Sequence, residues 1–229
     1  MSTQSKTIVL VHGGFVDGSG WRGVYDELTR DGFDVRVVQN ATKSLTDDAA
    51  ATRQILDGIE GEAVLVGHSY GGAVISEAGT HDKVSALVYI TAFAPDKGES
   101  VNALIAGFPQ DGPQPPILAP QQGYLFLDRS KFHESFAGDL SDADAAFLSD
   151  SQVPWGLEAL GGIISEAAWR LKPSWYLHVT DDKMIPPSAQ ASMAERIGAT
   201  VVDTPGSHAI YVSRPAVVAD IIRSAAGVA

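Results

Sequence analysis

One serine of the sequence stands where its hydroxyl could act as a nucleophile. Ser69 lies in Gly67-His68-Ser69-Tyr70-Gly71, directly after a short apolar run and directly before a helical pattern. A sharp turn from a strand into a helix leaves such a serine exposed beyond the end of the strand. Gly67 and Gly71 suit the turn because a Cβ at either position would collide with it. The pattern favours a nucleophile over the alternative, a glycine-rich turn with a structural serine.

A second glycine-rich segment follows the first apolar run and could stabilise negative charge. It has the sequence His12-Gly13-Gly14-Phe15. Acyl transfer requires N–H groups aimed at the oxygen that becomes negative in the transition state, and glycines let the backbone come close. We predict the N–H of Gly14 as one donor and the N–H of Tyr70, at the start of a helix, as the other. Taken alone, the segment also fits a simple turn from a strand into a loop.

A nucleophilic serine needs a base, and one of the six histidines has a suitable place. His208 lies in a loop directly after the last apolar run, late in the chain. His12 and His68 adjoin the two motifs, where hydrogen bonding within the loops is the simpler interpretation. His208 is therefore the predicted base. The remaining histidines are predicted to be structural or surface residues: His81, His133 and His178.

The loop after the preceding apolar run supplies an acid that could orient this histidine. Asp181 and Asp182 both lie there, and adjacent residues that leave a strand point in different directions. We favour Asp182, because Pro186 follows it at the spacing expected after such an acid. Asp181 would then be solvated or would cap a helix. The resulting order is Ser69, Asp182, His208, which differs from the orders in chymotrypsin and subtilisin.

The elements that must position these residues alternate between strands and helices. The sequence contains short, continuous apolar runs, which are typical of strands buried on both faces of a parallel sheet. Pro187 and Pro215 suit the first turns of helices, and Thr46 is placed to cap an aspartate-rich helix. The alternation predicts an α/β protein with a doubly wound, mostly parallel sheet. The predicted strands are 8–11, 35–38, 63–66, 84–90, 175–179 and 200–202.

Residues 96–172 interrupt this rhythm between the fourth and fifth predicted strands. They hold six of the 12 prolines, five of them between Pro109 and Pro120, and are rich in aromatic side chains. A structureless loop of this length is uncommon in a compact domain. We therefore predict an insertion with its own structure, including a helix that Ser141 caps. The core would be formed by residues 1–95 and 173–229.

Composition narrows the classes of partner. The 229 residues carry a formal net charge of −12, which disfavours binding to nucleic acids and to anionic membranes. The absence of cysteine excludes disulfides, thiolate catalysis and cysteine-ligated zinc. No apolar run approaches the roughly 20 residues of a membrane span, and the first one is too short for a secretory signal. We expect a cytoplasmic protein that acts on a small molecule.

These motifs resemble the α/β-hydrolase superfamily over nearly the whole chain. The resemblance is strongest to the branch of plant methylesterases and hydroxynitrile lyases. It lies in Val9-Leu10-Val11-His12-Gly13 with Trp21, and in residues 67–72. The stretch 180–187 resembles that of small bacterial relatives described as esterases. The resemblance implies an α/β-hydrolase fold of about six parallel strands. Residues 96–172 would then be a lid over the edge that carries Ser69.

Two departures from the lyases of that branch favour hydrolysis. The lyases carry a threonine where this chain has Gly13, and a lysine after the catalytic histidine, where this chain has Ala209. A nucleophilic aspartate in place of Ser69 would have indicated a dehalogenase or an epoxide hydrolase. The chemistry of cyanohydrin cleavage is thus disfavoured.

Aromatic residues are candidates for contacts with substrate. We predict such contacts from Phe15 and Tyr70, which adjoin the oxyanion donors, and from Phe126 and Trp155 of the insertion. The alternative is that most aromatic residues of the insertion form a small core of their own. The residues in question are Tyr124, Phe126, Phe132, Phe136, Phe147, Trp155 and Trp169.

The function predicted at this point is that of a serine hydrolase. It would cleave a small carboxylic ester through an acyl-enzyme, with no metal and no organic cofactor. The alternatives are another reaction at the same site, such as lactone hydrolysis, perhydrolysis or hydroxynitrile lysis, and a ligand-binding receptor on the hydrolase fold. The partner would be a small ester, with neither nucleic acid nor membrane involved. The sequence leaves the oligomeric state open, a homodimer included.

Overall fold

A parallel sheet organises the computed structural model, which describes residues 6–108 and 113–228. Its six strands are β1 Thr7–Val11, β2 Val35–Val38, β3 Ala63–Ser69, β4 Val84–Ala92, β7 Ser174–Val179 and β8 Thr200–Thr204. Within the described residues they lie in the order β2-β1-β3-β4-β7-β8, and every neighbouring pair is parallel. The six strands predicted from apolar runs are therefore confirmed.

Alternate residues of the central strands enter two separate apolar cores, one on each face of the sheet. In β3, for example, Ala63 and Leu65 join one core, and Val64 and Val66 join the other. Helices cover both faces, which is why the strands are apolar on both sides. These helices are α1 Arg22–Arg30, α2 Leu45–Gly58, α3 Gly71–Ala78, α8 Pro187–Arg196, α9 Ile210–Ser213 and α10 Pro215–Ala226.

The cap of α2 differs from the sequence prediction. Ser44, not Thr46, caps this helix: its backbone is extended and its Oγ accepts a hydrogen bond from the N–H of Asp47 at 3.1 Å. Thr46 already lies within the helix, which begins at Leu45, whereas a cap residue precedes the helix and has a non-helical backbone. Pro187 and Pro215 begin α8 and α10, as predicted.

The residues between β4 and β7 have secondary structure of their own. They form α4 Val101–Ala106, β5 Tyr124–Leu125, α5 Arg129–Phe136, α6 Asp142–Asp150, β6 Trp155–Gly156 and α7 Leu157–Leu160. Strands β5 and β6 pair antiparallel. Ser141 caps α6 by accepting from the N–H of Asp144 at 3.2 Å. Pro109, at the start of the proline-rich stretch, lies outside the described residues, as do residues 1–5.

The carboxyl ends of the parallel strands meet at one edge of the sheet. His12 follows β1, Ser69 ends β3, Thr91 lies near the end of β4, and the loops with Asp182 and His208 follow β7 and β8. Open α/β sheets bind their ligands at this edge. The topology thus collects residues from five strands in one place.

Candidate active site

Ser69 occupies a strained turn between β3 and α3. Its φ is +53°, in the left-handed region that few residues other than glycine adopt. The turn is tight: a Cβ on Gly67 would lie 2.5 Å from the carbonyl oxygen of Gly71, and one on Gly72 would lie 2.2 Å from that of Phe93. Glycine is therefore required at these positions.

His208 and Asp182 form a buried pair at the same edge of the sheet. Nδ1 of His208 lies 2.8 Å from Oδ2 of Asp182, and the two residues are 1% and 3% exposed. Asp181 points elsewhere, and its Oδ2 accepts a hydrogen bond from the N–H of Gly206 at 3.1 Å. Of the two adjacent aspartates, the structure therefore brings Asp182 to the histidine, while Asp181 ties together the loops that follow β7 and β8.

Four further donors hold the carboxylate of Asp182. Oδ1 accepts from the N–H of Met184 at 2.6 Å and from that of Ile185 at 3.1 Å. Oδ2 accepts from Nε2 of Gln190 at 3.0 Å and from the hydroxyl of Thr91. These contacts fix the direction in which the carboxylate faces the ring.

Thr91 and Gln190 are site residues that the sequence did not indicate. Thr91 has a φ of +38° and is fully buried. A β-branched residue with positive φ is unusual, but nothing in its neighbours along the chain signals it. Gln190 lies within α8 and is also fully buried, and its amide bridges Asp182 and the backbone of Val179. A glutamine without exposure on a half-buried helix becomes conspicuous only once the fold is known.

His68 connects the turn at Ser69 to the loop of His208. Its Nε2 donates to the carbonyl oxygen of His208 at 2.9 Å, and the two rings lie 4.7 Å apart. Burial, reinforced by the neighbouring His208, lowers the pKa of His68 well below its ordinary value, so its ring is neutral. Within the described residues, no hydrogen bond joins the hydroxyl of Ser69 to the ring of His208. Such contacts often tighten only when substrate binds.

The N–H groups of Gly14 and Tyr70 donate no hydrogen bond to any residue that the structure describes. The segment of Gly14 packs closely on the turn, since a Cβ on Gly13 would lie 2.7 Å from Cβ of Ser69. The other side of Gly14 is covered by Trp155, whose ring would be 2.8 Å from a Cβ at Gly14.

Three of the predicted substrate contacts, Phe15, Phe126 and Trp155, have different positions. Phe15 is buried, has a φ of +66° and meets the ring of Trp155 edge-on at 5.3 Å. Trp155 is itself buried, and its indole N–H has no partner among the described residues. Phe126 is half-buried and lines a surface groove with Leu118 and Gln152. The structure brings Phe15 and Trp155 together beside Gly14, but it does not bring Phe126 to them.

The remaining aromatic residues of the insertion divide between packing and exposure. Phe132 and Phe136 are stacked and fully buried, and Phe136 meets the ring of His208 edge-on at 4.8 Å. The indole of Trp169 donates to the carbonyl of Pro95 at 2.9 Å. Phe147 is 64% exposed. Phe132 and Phe136 thus form a small core in the insertion, and Phe136 also packs against the ring of His208.

The side chain of Tyr70, which was also predicted to contact substrate, points into the interior of the protein. Its hydroxyl donates to Oδ2 of Asp48 at 2.8 Å, and the ring is fully buried. Burial raises the pKa of Asp48 to about 6, although hydrogen bonds from Tyr70 and from the N–H of Thr42 oppose the rise. The same burial, with Asp48 beside it, raises the pKa of the Tyr70 hydroxyl, which therefore stays protonated.

The described part of the chain contains neither a metal-binding cluster nor a membrane-spanning helix. Of the histidine, aspartate and glutamate residues that the structure describes, no three come together in a way that could bind a metal ion. In residues 6–108 and 113–228, no helix has the length and apolar character that a membrane span requires.

Comparison with known proteins assigns the chain to a protein family. The sequence model of the alpha/beta hydrolase family matches residues 8–221. The chain belongs to this family. The pyrethroid hydrolase of Sphingobium wenxiniae is 29% identical, over 94% of this chain and 85% of the relative. Methylesterase 8 of Arabidopsis thaliana is 31% identical, over 44% of this chain and 42% of the relative. The predicted resemblance to the methylesterase branch of the α/β-hydrolases is confirmed.

A solved structure agrees with the fold. A crystal structure of a pyrethroid hydrolase superposes with a TM-score of 0.82 at 25% identity, over 97% of this chain and 98% of the other. The α/β-hydrolase fold that the resemblance implied is therefore confirmed, and with it the α/β sheet predicted from the alternation of strands and helices.

Proposed function

We propose that the protein hydrolyses small carboxylic esters, with Ser69 as nucleophile, His208 as base and Asp182 as orienting acid. The observation that carries this proposal is the 2.8 Å contact of His208 with Asp182 at the sheet edge where Ser69 has its strained turn. The chain is a carboxylic ester hydrolase by its relatives, which include a pyrethroid hydrolase and a methylesterase.

The mechanism has two half-reactions. Nε2 of His208 accepts the proton of Ser69 Oγ while that oxygen attacks the ester carbonyl carbon. Asp182 accepts from Nδ1–H, which keeps Nε2 available and stabilises the imidazolium that forms. The imidazolium then protonates the departing alcohol, and the acyl group stays on Ser69. In the second half-reaction His208 takes a proton from water, the water oxygen attacks the acyl-enzyme, and the acid leaves as Ser69 regains its proton.

Two backbone N–H groups would stabilise the negative oxygen in both half-reactions. We assign this role to Gly14 and Tyr70, because neither N–H has a partner among the described residues. The strained turn after β3 is what aims the N–H of the residue after the nucleophile at this position. One such donor contributes about 10²–10³-fold to kcat in serine hydrolases.

We further propose that residues 96–172 act as a lid that shapes the pocket. Trp155 lies over Gly14, and Phe136 contacts the ring of His208. Asp139 accepts from the N–H of Ser207 at 3.1 Å, next to the proposed base. Side chains of the insertion thus contact both ends of the proposed machinery. The preferred acyl or alcohol group would depend on them.

The decisive experiment is hydrolysis of p-nitrophenyl acetate by the wild type, Ser69→Ala and a control, Ser192→Ala, whose side chain is exposed on α8. We expect turnover by the wild type and the control, and a loss of at least about 10³-fold for Ser69→Ala with unchanged circular dichroism. A fluorophosphonate should label Ser69 in the wild type. Near-wild-type turnover by Ser69→Ala would exclude Ser69 as nucleophile.

A panel of substrates separates the ester hydrolase from the alternatives. It should contain methyl and aryl esters, a pyrethroid ester, a lactone, an amide, a cyanohydrin and a peracid-forming assay. We expect the highest kcat/KM on an ester. A homodimer and a cytoplasmic location stay predictions, which sedimentation velocity and cell fractionation would test.

A further inference from the structure

A buried chain of hydrogen bonds runs from Tyr70 to the insertion. The hydroxyl of Tyr70 donates to Oδ2 of Asp48 at 2.8 Å, and the N–H of Thr42 donates to Oδ1 of the same carboxyl at 3.0 Å. Asp48 is 1% exposed and Thr42 is fully buried. The chemistry described above uses neither residue. Burying a carboxyl group is costly, so a buried carboxyl group with two hydrogen-bond donors calls for an explanation.

Thr42 continues the chain into the segment that carries Trp155. Its hydroxyl donates to the carbonyl of Pro154 at 2.7 Å, and its own carbonyl accepts from the N–H of Gly156 at 2.8 Å. Thr42 therefore binds the backbone on both sides of Trp155. Its φ of +53° is unusual for a β-branched residue, and surrounding contacts must hold it there.

The two ends of the chain meet again at the oxyanion position. The ring of Trp155 lies 5.4 Å from the ring of Tyr70, and it would lie 2.8 Å from a Cβ on Gly14. One assigned oxyanion residue, Tyr70, is thus bound by Asp48 directly. The other, Gly14, is covered by a side chain whose backbone Asp48 holds through Thr42. Groups that act in catalysis must be held to within about 0.5 Å.

We infer that Asp48 is a positioning residue of this site. It sets Tyr70, and through Thr42 the segment Pro154–Gly156, so that both oxyanion N–H groups and Trp155 keep one arrangement. The inference rests on the proposed function and deepens it. Asp48 does not touch the reacting atoms. Its effect reaches them through Tyr70 and Trp155, and it should appear in kcat more than in KM, because an oxyanion contact strengthens in the transition state.

The first test compares Asp48→Ala and Asp48→Asn with Ser44→Ala, which removes the cap of the same helix α2 without contact to Tyr70. We expect kcat on p-nitrophenyl acetate to fall at least about tenfold in Asp48→Ala, with KM changed less than about twofold. Asp48→Asn keeps one acceptor and should give a smaller fall, and it serves if the alanine variant does not fold. Ser44→Ala should lower Tm and leave kcat unchanged.

Two results would overturn the inference by kinetics. One is a kcat of both Asp48 variants equal to that of Ser44→Ala at a similar loss of Tm, which would show a purely structural role. The other result concerns the double variant with Tyr70→Phe. We expect Tyr70→Phe alone to lower kcat, but to lower it no further when it is added to Asp48→Ala, because the Tyr70 hydroxyl has then already lost its partner. Independent, additive losses would contradict the coupling.

A structural test is independent of turnover. Crystal structures of the wild type, Ser44→Ala and Asp48→Asn should show Tyr70 N or the ring of Trp155 displaced by more than about 0.5 Å in the Asp48 variant alone. Undisplaced positions would overturn the inference. If the wild type hydrolyses no ester, the proposed function fails, and this comparison still decides whether Asp48 positions the two residues.

Discussion

The imidazole of His68, the residue before Ser69, is bound to the backbone of His208: Nε2 of His68 lies 2.9 Å from the carbonyl oxygen of His208. The ring of His68 is neutral because burial lowers its pKa, so it has one proton to donate. Its Nδ1 has no partner among the described residues. One hydrogen bond thus connects the turn of the proposed nucleophile to the loop of the proposed base.

Replacement of His68 by phenylalanine should uncouple the two loops. The ring volume stays similar, but the buried carbonyl of His208 loses its donor, which costs about 1–3 kcal/mol of stability. A displaced His208 should also lower kcat by more than about tenfold, since errors near 1 Å in position can cost about 10²-fold. Thermal unfolding and ester turnover measure both effects. His81→Phe, at a half-buried site bound to Asp57, is the control and should change kcat little.

The adjacent aspartates should differ sharply in their effect on turnover. Asp182→Asn should lower kcat by about 10³–10⁴-fold, because an amide cannot stabilise the imidazolium and favours the wrong tautomer of His208. Asp181→Asn should leave kcat nearly unchanged, because its oxygen can still accept from the N–H of Gly206. Steady-state kinetics on one ester decides the matter. A large loss in Asp181→Asn with none in Asp182→Asn would contradict the assignment of the acid.

Trp155 should influence the choice of acyl chain, whereas Phe126 should not. Trp155 lies on Gly14 and against Phe15, while Phe126 lines a groove elsewhere on the insertion. Trp155→Ala should change the ranking of kcat/KM along a series of p-nitrophenyl esters from acetate to octanoate. Phe126→Ala is the matched control and should preserve the ranking. Equal losses on every ester, with a lower Tm, would assign Trp155 to packing alone.

The stability of the protein should carry a contribution from Asp48 that depends on pH. Burial raises the pKa of this carboxyl from 3.8 to about 6, with the negative charge of Asp47 adding to the rise. Between these values the folded state binds a proton that the unfolded state has lost. The contribution to stability is therefore full below about pH 4 and is lost as the pH rises through about 6.

Denaturation with urea between pH 4 and pH 7 would measure this contribution. The amide that Asp48→Asn introduces does not titrate, so the free energy of unfolding of this variant should rise relative to the wild type across the range, on the order of 2 kcal/mol. Asp47→Asn, at an exposed site on the same helix, should show a much smaller relative change. A constant difference between Asp48→Asn and the wild type would contradict the raised pKa.

The sequence by itself determined the parts of this protein that depend on local sterics and periodicity. Apolar runs of three to seven residues predicted the parallel strands, because strands that helices cover on both faces, such as β3 and β4, have no polar side. The turn at Ser69 was predictable because a Cβ on Gly67 would lie 2.5 Å from the carbonyl oxygen of Gly71, which is nearby along the chain. The order of the loops then followed, since parallel strands end at one edge.

Only the tertiary structure decided which side chains support that edge. Thr91 reaches Asp182 across 91 residues of sequence, and Tyr70 reaches Asp48 across 22. Trp155 and Phe126 are both aromatic residues of the insertion, and the sequence gives no sign of which one packs beside Gly14. Strands β5 and β6 have two residues each, too few for an alternating pattern to show which side chains face inward. Hydrogen bonds and ring contacts between distant segments depend on where the insertion folds onto the sheet. Local propensity carries no information about that placement, because the placement depends on the burial of apolar surface summed over the whole chain.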